Sequence, residues 1–209
     1  MIKKLSLILL LFITSTSLAL AQDQKTIVLL GDSLSAGYGM QEKDGWVALL
    51  NKQLTQQKSD YQILNASISG ETTGGGLSRL PEILESNKVD YLLIELGGND
   101  GLQGFPPKLI KNNLLQIIGL AQQKNITVFL SEIKIPPNYG QRYNQMFADV
   151  FVSVADETKV ELLPFFIESV AVDPEKMQND GIHPNKAAQA ELAVIMKGII
   201  DNALTNTRN

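Results

Sequence analysis

Ile27-Val28-Leu29-Leu30-Gly31-Asp32-Ser33 is the stretch on which the fold class turns. Four apolar residues follow one another with no polar position between them, as in a strand buried on both faces. A glycine and two small polar residues then end the run. Tyr91-Leu92-Leu93-Ile94 and Thr127-Val128-Phe129-Leu130 read the same way, and Tyr61 to Leu64 and Val160 to Leu163 are weaker strand candidates. Between them lie stretches of helical period. Tyr143, Met146, Phe147, Val150, Phe151 and Val154 make one stripe, Ile110, Leu114, Ile117, Ile118 and Ala121 a second, and Leu192, Ile195, Met196, Ile199 and Ile200 a third. This alternation of strand and helix predicts a parallel sheet covered on both faces, with Phe147 and Ile195 in the core rather than in a ligand pocket.

The first residues read as an address. Met1-Ile2-Lys3-Lys4 is a short basic start, Leu7 to Ile13 is uninterruptedly apolar, and Ala19-Leu20-Ala21 supplies the small residues of a cleavage site. The apolar run is shorter than the roughly 20 residues of a spanning helix. Residues 1–21 are therefore expected to be a cleaved signal peptide, and 22–209 a single exported domain, periplasmic or secreted. Removing the leader takes away Lys3 and Lys4 and no acid, so the 18 basic side chains become 16 against 22 acidic ones, a net charge of about −6. No basic run or basic–aromatic interleaving appears, which argues against a nucleic-acid partner. With no cysteine, the domain has neither disulfides nor a lipid-modified cysteine anchor, and its stability must come from its core.

In open α/β sheets, ligands bind beyond the carboxyl ends of the strands. Three polar, glycine-rich segments follow predicted strands here: Gly31-Asp32-Ser33, Asn65 to Gly70, and Gly97-Gly98-Asn99-Asp100. A fourth, Asp180-Gly181-Ile182-His183-Pro184-Asn185, precedes the last helix and contains the chain's only histidine. An imidazole can work in both protonation states near neutral pH, and a carboxylate three residues earlier can bond one ring nitrogen. Ser33 becomes a useful nucleophile only if a base takes its proton. The Ser33 N–H, the Gly70 N–H and the Asn99 amide are candidate donors to an oxyanion. Each also has a plainer reading: Asp32 or Ser33 as a helix cap, Asn99 in an Asn-Asp-Gly turn, Gly70 at a positive φ. On chemistry alone, Asp32 and Asp100 rival Asp180 as the acid that orients the histidine.

Gly-Asp-Ser-Leu at 31–34, the Gly70 segment, Gly-x-Asn-Asp at 97–100 and Asp-x-x-His-Pro at 180–184 resemble, in order, the four blocks of the SGNH or GDSL hydrolase superfamily. Longer strings resemble its exported multifunctional thioesterase, lysophospholipase and arylesterase group: Gly31 to Tyr38, Asn65 to Gly70, Glu95 to Leu102, Asn138-Tyr139-Gly140, Leu163 to Phe166 and Asp180 to Asn185. The resemblance implies a three-layer α/β/α fold around a flavodoxin-like five-stranded parallel sheet. It also implies Ser33 as nucleophile, His183 as base, Asp180 as its orienting partner, and Ser33, Gly70 and Asn99 as oxyanion donors. No metal or cofactor is expected, and the partner would be a small-molecule acyl ester or thioester met by a monomer. A two-metal phosphoesterase would need a cluster of nitrogen and oxygen ligands that one histidine hardly supplies. A carbohydrate O-acetylesterase and a non-catalytic acyl-binding protein remain as alternatives. Leu102, Phe105, Ile133, Ile135, Pro136, Pro137 and Tyr139 fall after the third and fourth strands, in segments read as loops. They are expected to line an apolar acyl groove, or else to pack the sheet rim.

Overall fold

The structure, a computed structural model, describes residues 24–207. The leader expected at 1–21 lies outside the described residues. Five strands form one parallel sheet among the described residues: β1 (Lys25–Gly31), β2 (Tyr61–Asn65), β3 (Tyr91–Glu95), β4 (Thr127–Ser131) and β5 (Glu161–Leu163). Their order is β2-β1-β3-β4-β5, the flavodoxin-like arrangement expected above. The register sets Val28 between Leu64 and Leu92, Leu92 beside Val128 and Leu130 beside Leu162, so apolar residues neighbour one another across the sheet. Ile27 to Leu30 are wholly buried, which is why β1 carries no alternation. At the edge, β2 does alternate, with Tyr61 and Ile63 buried and Gln62 and Leu64 exposed.

The helices are α1 (Ser33–Ala36), α2 (Trp46–Gln56), α3 (Thr73–Ser86), α4 (Gly98–Leu102), α5 (Pro107–Gln122), α6 (Gln141–Thr158), α7 (Glu168–Ala171) and α8 (Gln189–Asn206). Right-handed crossovers that run in opposite directions along the sheet, β1 to β2 through α2 and β2 to β3 through α3, send the two helices to opposite faces. On one face α2 packs against α8, and on the other α3, α5 and α6 lie side by side. The α5 stripe is buried as predicted, from Ile110 to Ala121. In α6, Phe147, Val150, Phe151 and Val154 are buried, but Met146 is exposed; one position off the stripe's centre is enough to turn it to water. Ile195 is likewise only half-buried, on the flank of α8 rather than at its centre.

Helix α3 begins Thr73-Gly74-Gly75-Gly76, a start with almost no helical propensity. Tertiary contacts explain it. A Cβ on Gly76 would collide with Leu96, so this glycine lets the helix approach the sheet closely, and one on Gly75 would collide with the Glu71 carboxylate. Thr72 caps it, its hydroxyl accepting from Gly75 N–H at 3.2 Å.

Candidate active site

The strand order reverses between β1 and β3, and a crevice opens where the chain leaves both strands at their carboxyl ends. Gly31 and Glu95, the last residues of these strands, are paired in register. A Cβ on Gly31 would lie 2.7 Å from both Glu95 Oε2 and Ser67 Oγ, so only a glycine fits there without displacing them. Asp32 then caps α1, its Oδ1 accepting from Leu34 N–H at 3.0 Å. The cap is thus Asp32, and Ser33, the first residue of the helix, keeps its hydroxyl for another partner. Gly37, in the left-handed region at φ 76°, ends the helix by donating to the Ser33 carbonyl.

Glu95 is buried beneath this turn. Its Oε2 accepts the Ser35 hydroxyl at 2.7 Å and the Asp32 N–H at 3.4 Å. Burial, reinforced by the Asp32 charge, holds the Glu95 carboxyl well above the usual carboxylate range. Asp32 is pushed up to about 6, again by burial first; the Leu34 N–H, His183 and the Asn99 amide pull it back only in part.

The opposite wall of the crevice is a short loop. Asp180 Oδ1 accepts Ile182 N–H at 2.9 Å and His183 N–H at 3.0 Å, while Oδ2 meets His183 Nδ1 at 2.7 Å. Gly181, at φ 66°, makes the turn. Burial raises the Asp180 carboxyl, but these bonds and the His183 charge together outweigh it and lower the group to about 2. An ionised carboxylate can only accept, so Nδ1 carries the proton and Nε2 of the neutral ring is the acceptor. His183 Nε2 lies 2.8 Å from Ser33 Oγ, the partner left free by the cap. The two rival acids are committed elsewhere. Asp100, wholly buried, accepts Thr73 N–H at 2.8 Å and the Thr73 hydroxyl at 2.5 Å, tying α4 to the start of α3. Asp32 holds Leu34 and Asn99.

Asn99 lies in α4, so the Asn-Asp-Gly turn of its plainer reading is not formed. Its Nδ2 donates to the Glu71 carbonyl at 2.9 Å and to Asp32 Oδ2 at 3.2 Å. Gly70 immediately precedes Glu71, is exposed, and adopts φ 82°, a backbone shape that leaves side chains strained. Beside Ser33 and Asn99 opens a groove of about 330 Å³ whose walls include Leu34, Leu102, Ile133, Ile135, Pro136, Phe165, Ile167, Val172, Met177 and Ile182. Gly70 is not among its lining residues.

The GDSL-like Lipase/Acylhydrolase family matches residues 29–191. An arylesterase of Vibrio mimicus is 45% identical over 193 residues, 92% of this chain and 94% of its own. Thioesterase 1/protease 1/lysophospholipase L1 of Escherichia coli K12 is 46% identical over 168 residues, 80% of this chain and 79% of its own. Among solved structures, the psychrotrophic esterase EstA from Pseudoalteromonas sp., inhibited by monoethylphosphonate, superposes with a TM-score of 0.85 at 45% identity, covering 87% of this chain and 100% of that one. The chain belongs to the GDSL family. It is an ester hydrolase.

Two of the residues expected in the hydrolase's groove are not there. Phe105 packs against the core, and its carbonyl accepts the Tyr143 hydroxyl at 2.7 Å. Tyr139 points its hydroxyl at the Leu102 carbonyl, 2.9 Å away, and braces α4 from outside. An apolar residue in a connecting segment does not announce which side of it faces the site. Leu102 lines the groove from the end of α4 rather than from a loop. The wall formed by Phe165, Ile167, Val172, Met177 and Ile182 went unread, because after a three-residue β5 these residues look like core or surface. Glu95 was also missed as a site-supporting acid; its signals were its place at the head of the Glu95 to Leu102 string and at the end of an apolar strand.

Proposed function

We propose that this GDSL hydrolase is an exported serine esterase and thioesterase, acting as a monomer through Ser33, His183 and Asp180. The observation that carries the reading is the continuous hydrogen-bonded line from Asp180 Oδ2 through the imidazole to Ser33 Oγ, with steps of 2.7 and 2.8 Å. His183 Nε2 takes the Ser33 proton as Oγ attacks the acyl carbonyl, and Asp180 stabilises the imidazolium that forms. The oxyanion is received by the Ser33 and Gly70 N–H groups and the Asn99 amide. Of the two Asn99 hydrogens, the one directed at Asp32 is held at the longer distance and is the one that turns to the oxyanion. Collapse expels the alcohol or thiol, with the imidazolium returning a proton where the leaving group needs one. Water then repeats the sequence to free the acid. No step calls for a metal or cofactor.

The apolar groove supports an acyl chain as the bound part of the substrate, since each buried methylene adds up to about 0.8 kcal/mol. Aryl esters, thioesters and lysophospholipids are the substrate classes that the named activities of the relatives suggest, and acyl-CoA is the thioester that the family resemblance implies. Export rests on residues 1–21; among the described residues no helix is long and apolar enough to cross a membrane.

The test is hydrolysis of p-nitrophenyl esters from acetyl to palmitoyl, with a chelator present, by wild type, Ser33→Ala and His183→Ala. Both variants are expected to lose roughly 10³-fold or more in kcat, and the wild-type rate to rise from acetyl toward medium chains. A profile confined to acetyl would point to an acetylesterase. Undiminished turnover by either variant would remove the assignment.

A further inference from the structure

The nucleophile and the base come from segments 150 residues apart, and neither lies within the sheet. Something must hold them in register. Asp180 fixes the imidazole only through its Nδ1 edge, and the Asp180 side chain is 36% exposed, so water competes for that bond. The face of the ring has a different neighbour. Tyr38, five residues after Ser33, lays its ring against His183, the centroids 4.3 Å apart and the planes tilted by 33°. Gly37 and Gly39, at φ 76° and 75°, flank it and bend the backbone so that this side chain turns back over the site.

Gln178 holds that tyrosine in place from the other segment. Its Nε2 donates to the Tyr38 carbonyl at 2.9 Å and to the Pro184 carbonyl at 3.2 Å. Its backbone N–H donates to the His183 carbonyl at 2.8 Å, and its carbonyl accepts from Gly181 at 3.0 Å. A Cβ on Gly39 would lie 2.6 Å from Gln178 Oε1, so the two segments abut with no room between them. One glutamine thus bonds the loop that carries the base to the turn that follows the nucleophile. The remaining bonds along this flank lie farther off: Trp46 N–H to Gln189 Oε1 at 3.0 Å, and the exposed pair Lys186–Asp44 at 2.9 Å.

We propose that Tyr38 and Gln178 form a clamp that sets the separation of Ser33 and His183, both acting as positioning residues. The proposal rests on the reading of Ser33 and His183 as nucleophile and base. The ring blocks the imidazole from swinging toward solvent. Its π face also lies within reach of the positive charge that develops when Nε2 takes the serine proton. Gln178 acts through Tyr38 by fixing its backbone. Because the Tyr38 side chain is about half exposed, removing it leaves no core cavity. A merely structural contact would therefore leave kcat alone.

The experiment is a double-mutant cycle on p-nitrophenyl acetate, whose acyl group is too short to depend on the groove. Tyr38→Leu and Gln178→Ala are each expected to lower kcat about fivefold to tenfold, with KM and the melting temperature nearly unchanged. Tyr38→Phe, which keeps the ring, recovers most of the rate lost in Tyr38→Leu. Gln178→Glu, which keeps the length but loses the donors, behaves like Gln178→Ala. The double variant loses no more than the worse single, because Gln178 acts through Tyr38. Lys186→Ala, which removes an exposed ion pair on the same flank, stays within about twofold of wild type. The clamp is overturned if Tyr38→Leu turns over like wild type, if Tyr38→Phe is as slow as Tyr38→Leu, or if the two losses multiply. Ser33→Ala in the same assay separates the two levels. If it is dead while Tyr38→Leu is unaffected, the clamp alone fails; if it remains active, the underlying reading fails and takes the clamp with it.

Discussion

The two halves of the site are held by opposite means. The Gly31–Gly37 turn grows out of the central strand and sits on a buried acid, with Glu95 1% exposed beneath it. The Asp180–His183 loop lies outside the sheet and keeps its shape through an exposed carboxylate that accepts two backbone N–H groups and the ring. The titration behaviour follows. Burial raises Glu95 and Asp32, whereas donors with little burial lower Asp180. The nucleophile side is therefore bound up with the stability of the whole sheet, and the base side is a local device that can fail without unfolding anything.

The largest effect expected from this contrast is in Asp180→Asn. The amide oxygen can still accept the Ile182 and His183 N–H groups, so the loop survives and the melting temperature at neutral pH moves little. The amide NH₂, however, favours the other imidazole tautomer, and kcat should fall by roughly 10³- to 10⁴-fold. A steep fall in melting temperature instead would mean that the loop is not local. Gly31→Ala should show the reverse signature. Its Cβ would meet Glu95 Oε2 and Ser67 Oγ at 2.7 Å and Ser35 Cβ at 3.2 Å, and the Glu95 carboxyl is held in place by Ser35 and Asp32. Overpacking of this kind costs about 1–3 kcal/mol, or roughly 5 °C of melting temperature in a domain of this size. A wild-type melt for Gly31→Ala would show that the turn yields more easily than its packing implies.

This same division governs how much could be read from sequence. β1, β3 and β4 stand out because burial on both faces leaves an unbroken apolar run, and α5 because its stripe is complete. Helix α3 does not, since three glycines erase its propensity, and the reason for Gly76 lies in Leu96, twenty residues further along the chain. In the site, Ser33, Asn99, Asp180 and His183 are conspicuous for their residue types after strands or before a helix, and the fold brings them to one rim. The groove was legible only on the side that follows β3 and β4. Its far wall mixes Phe165, which is buried like core, with Val172, which is 79% exposed like surface, and only the tertiary arrangement unites them. Glu95 and Gln178 carry no pattern; each matters through a partner distant in sequence.

The smallest effect concerns Glu95 and is read as a trend in pH. Free glutamate ionises near 4.5, whereas burial and the neighbouring Asp32 charge keep this carboxyl protonated well above that point in the fold. Between the two values the unfolded chain releases a proton that the folded chain retains, so this group's contribution to stability is fully present below about 4.5 and declines as pH rises. Glu95→Gln has no such proton, yet its amide oxygen can still accept the Ser35 hydroxyl and the Asp32 N–H. The melting temperature of the variant relative to wild type should therefore climb as pH rises above about 5, with kcat altered far less than in Asp180→Asn. Asp32 is present in both proteins, so its own titration largely cancels from the difference. A difference that stays flat across that range would mean that Glu95 is ionised in the fold, and the nucleophile turn would then be held by charge, as the histidine loop is.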